Sequence, residues 1–348
     1  MPHLKAGGAE RVVSFLFNQM NRSFFDPHLL VIGFENEAHY PVKDINVIYL
    51  NKKRLKSALF DIVKTIKTLN PEIVFSSIGH INIYLGFLKI FFFKTKFIAR
   101  EASVYSKSMS YNKKKQLPFS LIKNCYHRLD ALVYQSTDMK NDFEQTFKID
   151  PSKGNLIHNP ITLSPSILAK IPEAPTSPIK FLIVGSLIQS KGHQRVIDLF
   201  EKIKINFILE IVGDGPLRVQ LEQKVAKSKI RNKVIFRGIQ KNMQQIYSDA
   251  DFLIQGSFVE GFPNVVLEAL SYGIPSIVFN APGGHKEMIV NRENGSILQE
   301  NVDDIKIIEE TVTYNWDRVA IQKDAFKRFG PEIIMKQYEA IFLHVINA

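Results

Sequence analysis

The chain contains a single cysteine and a single tryptophan in 348 residues. One thiol, Cys125, excludes an intramolecular disulfide and leaves no cysteine spacing for a metal. Its place in a helical pattern reads as a small buried apolar side chain. The nine histidines fall at no ligand spacing, so no metal site is expected. Residues 1–9 lack the apolar core of a signal peptide. The most apolar run, 81–93, contains Lys89 and falls short of the ~20 residues that span a bilayer. No repeat, low-complexity segment or recognised nucleic-acid motif is present, and no nucleic-acid partner is expected. Together these absences point to a cytoplasmic protein without a membrane span.

What is present suits two α/β domains, because 348 residues exceed one ordinary core and 45% are hydrophobic. Acidic residues are scarce only in the first half. Residues 1–160 carry 23 Lys and Arg against 13 Asp and Glu, whereas residues 161–348 carry 22 against 21, so almost all of the net charge of +11 sits in the first half. Such an asymmetry predicts an anionic partner. Two stretches concentrate it. In 52–69, Leu55, Leu59, Ile62, Val63, Ile66 and Leu69 recur at helical spacing among Lys52, Lys53, Arg54, Lys56, Lys64 and Lys67. In 105–126, Lys107, Lys113, Lys114, Lys115 and Lys123 alternate with Tyr105, Met109, Tyr111, Leu117, Phe119 and Leu121. Mixtures of this kind lie on anionic lipid surfaces. The plainer reading of the first stretch is a core helix with a solvated charged face.

Short apolar runs at 29–34, 45–50, 73–76, 96–100, 131–135 and 154–158 alternate with helical patterns, as in a parallel sheet with crossover helices. A second set follows at 180–184, 207–212, 234–237, 252–255, 276–279 and 295–298. Between them, Pro160, Pro165, Pro172, Pro175 and Pro178 prevent a helix and mark the boundary. The predicted organisation is a first domain over 1–160, a linker over 161–178, a second domain over 179–330 and a final helix within 331–348.

The most informative segment is Glu260-Gly261-Phe262-Pro263-Asn264-Val265-Val266-Leu267-Glu268. Pro263 suits the first turn of a helix, where its missing N–H costs nothing. Glu260 then lies in the loop and Glu268 about one and a half turns inside. Free N–H groups and the positive end of the helix dipole suit a phosphate, and a carboxylate on either side suits hydroxyls. That is a layout for a sugar nucleotide.

This segment resembles the Glu-x7-Glu motif of retaining glycosyltransferases of the glycosyltransferase 4 family. The rest of the second half is similar in order: Phe181 to Gly185 and then Lys191-Gly192, Leu209 to Gly213-Asp214-Gly215-Pro216, Phe236-Arg237-Gly238, Tyr247 to Asp251, Gly283-Gly284-His285-Lys286-Glu287 and Asn294-Gly295. Gly7-Gly8-Ala9-Glu10-Arg11 resembles the family's N-terminal glycine loop. The resemblance covers almost the whole chain. It implies a GT-B fold, two Rossmann-like parallel-sheet domains facing a cleft, the first on the acceptor side and the second holding the nucleotide-sugar, with the final helix crossing back to the first.

The resemblance also implies roles. Lys191 would meet the donor phosphates, Glu268 the ribose hydroxyls and Glu260 the donor sugar, with Gly7, Gly8, Gly185, Gly213, Gly261, Phe262, Pro263 and Asn264 around the donor. Arg100 and Glu101, at the end of a strand where α/β crevices open, would face the acceptor or donor sugar, and Asn159 stands at the mouth of the linker. Many relatives have Arg where this chain has Ser186. Asp249 and Asp251 read as a helix end and strand start rather than a metal motif, and the GT-B class is generally metal-independent, so no cofactor is expected beyond the donor itself.

The expected activity is retaining transfer of a hexosyl or N-acetylhexosaminyl group from a UDP-sugar to a glycan on a polyprenyl diphosphate lipid. The enzyme would sit peripherally on the inner face of the cell membrane, with Lys113, Lys114 and Lys115 near an anionic surface and acceptor, in O-antigen, lipopolysaccharide, capsule or glycoprotein-glycan assembly. Three rivals remain. A nucleotide-sugar 2-epimerase of related fold would need no lipid acceptor, a non-catalytic sugar-nucleotide-binding partner would not turn over, and a basic nucleic-acid module would show steep salt dependence. A strand normally delivers the chain into the glycine loop, and only six residues precede Gly7. A start upstream of Met1, coding for a short β-branched run, is therefore expected.

Overall fold

The computed structural model describes residues 1–5, 7–40, 42–111, 117–163, 177–300 and 303–348. The expected triple Lys113, Lys114 and Lys115 lies outside the described residues. The chain divides into two units. Unit 1 comprises Met1–Ser106, Asn112–Thr162 and Pro331–Ala348, and unit 2 comprises Lys107–Tyr111 and Leu163–Gly330.

Unit 1 holds strands β1 (His28–Val31), β2 (Asn46–Tyr49), β3 (Ile73–Ser76), β4 (Lys96–Arg100), β5 (Ala131–Tyr134) and β6 (Gly154–Leu156). They form two parallel sheets, β1-β2 and β3-β4-β5-β6. The helix Gly8–Gln19 serves both. Its Val12 and Leu16 pack with Ile98, Val133, Ile334 and Tyr338, while Val13 packs with Leu4, Leu29 and Val31. Residues Met1 and Pro2 run beside β1, where their carbonyls accept from the N–H groups of Ile32 and Gly33 at 2.9 Å each. The closing helix Pro331–Asn347 buries Ile334, Met335, Tyr338, Ile341, Phe342 and Val345 in the same core, which is why a helix so late in sequence belongs to unit 1.

Unit 2 holds β7 (Ile179–Val184), β8 (Phe207–Val212), β9 (Val234–Gly238), β10 (Phe252–Gln255), β11 (Ser276–Phe279) and β12 (Gly295–Leu298) in one parallel sheet of order β12-β11-β10-β7-β8-β9. The order reverses between β7 and β10, the switch point at whose carboxyl end doubly wound sheets bind ligands. All four residues of β10 are buried, as are all four of β11. Strands covered on both faces read as unbroken apolar runs.

The basic stretch 52–69 becomes the helix Leu55–Leu69, burying Ala58, Ile62 and Ile66 and leaving Lys56, Lys64 and Lys67 exposed. The core-helix reading therefore holds. The apolar run 81–93 is the helix Gly79–Leu88 followed by a tight turn over Lys89–Phe91. No helix among the described residues is long and apolar enough to cross a membrane.

Cys125 is buried in the helix Phe119–Arg128, and burial pushes its thiol pKa up. That helix meets the helix Gly79–Leu88 so closely that a Cβ on Gly86 would lie 2.6 Å from the Cys125 carbonyl carbon. Backbone cannot yield as a side chain can. Gly86→Ala is expected to cost ~1–3 kcal/mol, the usual range for overpacking, as a lower urea midpoint at unchanged slope. An unaltered midpoint would show that the two helices separate freely.

Candidate functional site

The site is built at the carboxyl ends of β7 and β10, which are neighbours in the sheet. After β7, Gly185 adopts φ +155°, and a Cβ there would meet nothing within 4 Å, so the side on which a side chain would stand faces open space. The chain then makes a short turn over Gln189–Lys191 and enters the helix His193–Phe200 through Gly192 at φ +61°, the left-handed region that favours glycine. After β10 it passes Gly256. A Cβ on Gly256 would lie 2.6 Å from the Gly192 carbonyl oxygen, and one on Gly192 would strike the Gly256 carbonyl. Two glycines thus let the two loops touch.

That approach delivers Lys191 to Glu260. The Lys191 Nζ donates to Glu260 Oε1 at 2.6 Å across 69 positions of sequence. The same oxygen accepts from Ser257 Oγ at 2.6 Å and from Gln255 Nε2 at 2.9 Å. Glu260 is only 8% exposed. Burial pushes its pKa up, but the Lys191 charge and the hydrogen bonds from Lys191 and Ser257 outweigh burial, and the carboxyl lies below its ordinary value. Behind Gln255 stands His285, whose Nε2 lies 2.7 Å from Gln255 Oε1. His285 is fully buried, which lowers its pKa despite the nearby Glu260 charge.

Pro263 is the cap before the helix Asn264–Ser271 rather than a residue of its first turn, and Tyr272 closes the helix. Glu268, the fifth residue of that helix, is 2% exposed and accepts from the Tyr247 hydroxyl at 2.6 Å. Tyr247 is itself buried and stacks on Tyr272. The two carboxylates therefore occupy separate settings. Glu260 is held by a cation, a hydroxyl and an amide, Glu268 by a phenol. Gly261 and Phe262 are buried between them in sequence, with Phe262 packed edge-on against Phe329.

Gly213, at φ +135° after β8, packs against Gly185. Ser186 is exposed, and Arg195, three residues beyond Gly192, binds the carbonyls of Gly256 (2.6 Å) and Ser257 and the carboxylate of Glu300. Its guanidinium lies over Phe258 at 4.0 Å and Phe279 at 4.1 Å. Arg195 braces the loop that carries Glu260. His193, next to Gly192, is 2% exposed with neither ring nitrogen hydrogen-bonded, and burial and then the Lys191 charge lower its pKa to about 4. A cavity beside Arg292, Tyr314 and Trp316 involves none of these side chains.

In unit 1, Gly7 caps the helix Gly8–Gln19, so the expected glycine loop is a helix start. Arg100 and Glu101, at the carboxyl end of β4, are as buried as the two glutamates of unit 2. Neither presents its charge outward: Arg100 is 2% and Glu101 5% exposed. The Arg100 guanidinium donates to Ser77 Oγ at 2.6 Å, to the Tyr338 hydroxyl at 3.1 Å and to Asn159 Oδ1. Glu101 Oε1 accepts from Asn82 Nδ2 at 2.6 Å and from the Tyr126 hydroxyl at 2.9 Å. A buried charge must be paired and hydrogen-bonded, and these two have spent their groups on the interior of unit 1.

Comparison with known proteins agrees with this architecture. Residues 6–164 match the model described as Glycosyltransferase Family 4, and residues 167–314 the model described as Glycosyl transferases group 1. The chain is a glycosyltransferase and belongs to the glycosyltransferase 4 family. It is 25% identical over 353 residues to the N-acetylgalactosamine-N,N'-diacetylbacillosaminyl-diphospho-undecaprenol 4-alpha-N-acetylgalactosaminyltransferase of Campylobacter jejuni, covering 93% of this chain and 96% of that protein. Its fold is similar to the lipopolysaccharide outer core galactosyltransferase WaaB in its apo form, with TM-score 0.77, 20% identity and coverage of 98% and 97%. It is also similar to Anabaena HepE in complex with UDP-glucose, with TM-score 0.76, 17% identity and coverage of 99% and 98%. The fold is GT-B.

Glu101 carries a measurable consequence. Burial raises its pKa from 4.5 to about 7, against the opposing hydrogen bonds from Asn82 and Tyr126 and the Arg100 charge. The folded state then holds the proton more tightly than the unfolded one, so stability is complete below pH 4.5 and falls as the pH rises towards about 7. Glu101→Gln keeps the shape and removes the titration. Its melting temperature, relative to the parent protein, should rise progressively between pH 5 and 8, and parallel curves would show that Glu101 stays ionised.

Proposed function

We propose that this glycosyltransferase acts with retention, moving a hexosyl or N-acetylhexosaminyl group from a UDP-sugar to a glycan carried on a polyprenyl diphosphate lipid, in the assembly of a surface polysaccharide or glycan. The observation that carries this reading is the Lys191–Glu260 pair in the loops that follow β7 and β10, with open space on the side-chain side of Gly185. A cation and open space beside a glycine at a sheet switch point suit a diphosphate, and a carboxylate alongside suits sugar hydroxyls. The undecaprenyl diphosphate named for the Campylobacter relative and the UDP-glucose bound by HepE supply the lipid and nucleotide parts of the proposal.

In the reaction, the bond between the sugar C1 and the departing phosphate oxygen breaks, and a bond from C1 to the acceptor hydroxyl oxygen forms on the same face. The acceptor's proton passes to the leaving phosphate, giving UDP and the lengthened glycan. Lys191 offsets the charge that develops on the diphosphate. Glu260 keeps its charge and orients the sugar, Glu268 accepts from the ribose hydroxyls, and Gly213, Gly261, Pro263 and Asn264 line the donor.

Two experiments test this reading. A thermal-shift panel of UDP-, GDP- and ADP-sugars should raise the melting temperature with a UDP-sugar, since a ligand of the folded state stabilises by mass action. With that donor, Glu268→Ala should mainly weaken binding and Glu260→Ala mainly slow transfer, each by ~1.5–3 kcal/mol for a lost hydrogen bond to a charged group. Lys191→Ala should impair every donor alike, because all share the phosphates. Near-normal kinetics in all three variants would sink the assignment.

The acceptor side of the proposal places unit 1 on the inner face of the membrane. Phe60 is 77%, Phe91 61% and Phe93 81% exposed, with Lys56, Lys64 and Lys94 exposed nearby in sequence. Aromatic side chains among lysines suit an anionic lipid surface. The protein should bind phosphatidylglycerol vesicles and detach as salt rises, each basic residue near the surface contributing ~1 kcal/mol. Replacing Lys113, Lys114 and Lys115 by Gln should reduce vesicle binding and transfer to a lipid-linked acceptor while sparing a short soluble one. Equal loss on both acceptors would assign these lysines to folding or to the active site.

A further inference from the structure

Glu260 Oε1 takes three donors, whereas Oε2 receives none from the described residues. One of the three donors has a second task. If Lys191 serves the diphosphate, as the proposed function requires, its hold on Glu260 weakens when the donor binds. Ser257 and Gln255 then keep the carboxylate in place. A serine hydroxyl rotates freely, but the Gln255 amide is fixed by what lies behind it.

The polarity of that support follows from chemistry alone. A charged carboxylate only accepts, so the amide must turn its NH2 toward Glu260. Its oxygen then faces His285 Nε2 at 2.7 Å, and that nitrogen must carry a proton. With the ring deprotonated at Nε2, the amide oxygen would face a lone pair, and turning the amide over would only set that oxygen against the carboxylate. The helix His285–Met288, which begins after the Gly283-Gly284 turn, therefore reaches the reacting carboxylate through one amide. All three side chains are buried, so water offers no substitute.

We propose that Gln255 and His285 are positioning residues of the transfer reaction: the ring fixes the amide, and the amide holds Glu260 with Oε2 free for a hydroxyl of the donor sugar. The proposal rests on the functional reading above, in which Glu260 meets the sugar. The resemblance gives neither residue a role: Gln255 ends a strand, and His285 stands in it only as the residue after a glycine turn.

The test compares Gln255→Met, His285→Met and His285→Gln, with Glu260→Ala in parallel, using the UDP-sugar that gives the largest thermal shift and following UDP release. Glutamine can place a donor where His285 Nε2 stands, whereas methionine fills the space without one. The expected result is that Gln255→Met and His285→Met each lower kcat by ~10-fold, the weight of one hydrogen bond to a charged group, with the donor KM changed less than threefold. His285→Gln should recover most of the rate. The Gln255→Met/His285→Met double variant should be no slower than Gln255→Met alone, because the two act in series. Losses that multiply in the double variant, or that track melting temperature with His285→Gln as slow as His285→Met, would overturn the relay. Should His285→Met fail to fold, the Gln255→Met and His285→Gln pair decides by the same criteria. If Glu260→Ala retains full transfer, the functional reading fails. If it loses transfer while Gln255→Met and His285→Met do not, the relay alone fails.

Discussion

The contact between Lys191 and Glu260 is the constraint on which the rest of unit 2 depends. A buried carboxylate is costly unless a cation and hydrogen bonds surround it. The cation must come from the neighbouring strand's loop, and a lysine can reach only if the two loops nearly touch. Gly192 and Gly256 permit that, each occupying space that a Cβ on the other would invade. Arg195 then ties the carbonyls of 256 and 257 to the helix His193–Phe200, so the loop carrying Glu260 cannot swing away. Backbone freedom, a brace and an ion pair thus form one device.

The charge arrangement that results is asymmetric. Three donors crowd one oxygen of Glu260, and its pKa lies below the ordinary range although the group is buried. Burial alone would have pushed it the other way. The site has therefore been organised to keep a negative charge, which suits orienting hydroxyls and opposes proton donation. Glu268, held by the buried Tyr247 hydroxyl, shares none of those donors. Two glutamates eight positions apart are in physical terms two different groups.

All twelve strands among the described residues were legible in the sequence, several to the residue, most plainly β5, β10 and β11, which are buried throughout and read as continuous apolar runs. The final helix was read over 331–346, and its return to unit 1 came from the resemblance and not from periodicity. Within the site, Glu260, Glu268 and Lys191 were legible only because a motif carries them, since no periodicity links residues 69 positions apart. Gln255, Ser257 and Arg195 gave no such signal, and Tyr247 and His285 lie in stretches that the resemblance covers without giving them a role. Each is an ordinary polar residue at a strand end, in a loop or on a helix, and only the fold shows what it touches. Arg100 and Glu101 were legible as the end of a parallel strand, and the fold adds what they bind. The carboxyl end of β4 holds the segments that close unit 1.

Those segments explain why so expensive a pair is buried there. Arg100 holds Asn159, just before the point where the chain passes into unit 2, and Tyr338, in the helix where it has returned. One guanidinium, planar and always charged, therefore binds to the same strand end the place where the backbone leaves unit 1 for Leu163–Gly330 and the helix on which it returns. A lysine has no fork to reach two such partners and Ser77 together. Glu101, next in sequence, fastens Asn82 and Tyr126 from the flanking helices, and Asn82 in turn donates to the Arg100 carbonyl at 2.9 Å. Apolar packing of the helix Pro331–Asn347 would bury area without fixing its register. The polar network supplies that register, which is the use for which buried charge is best attested.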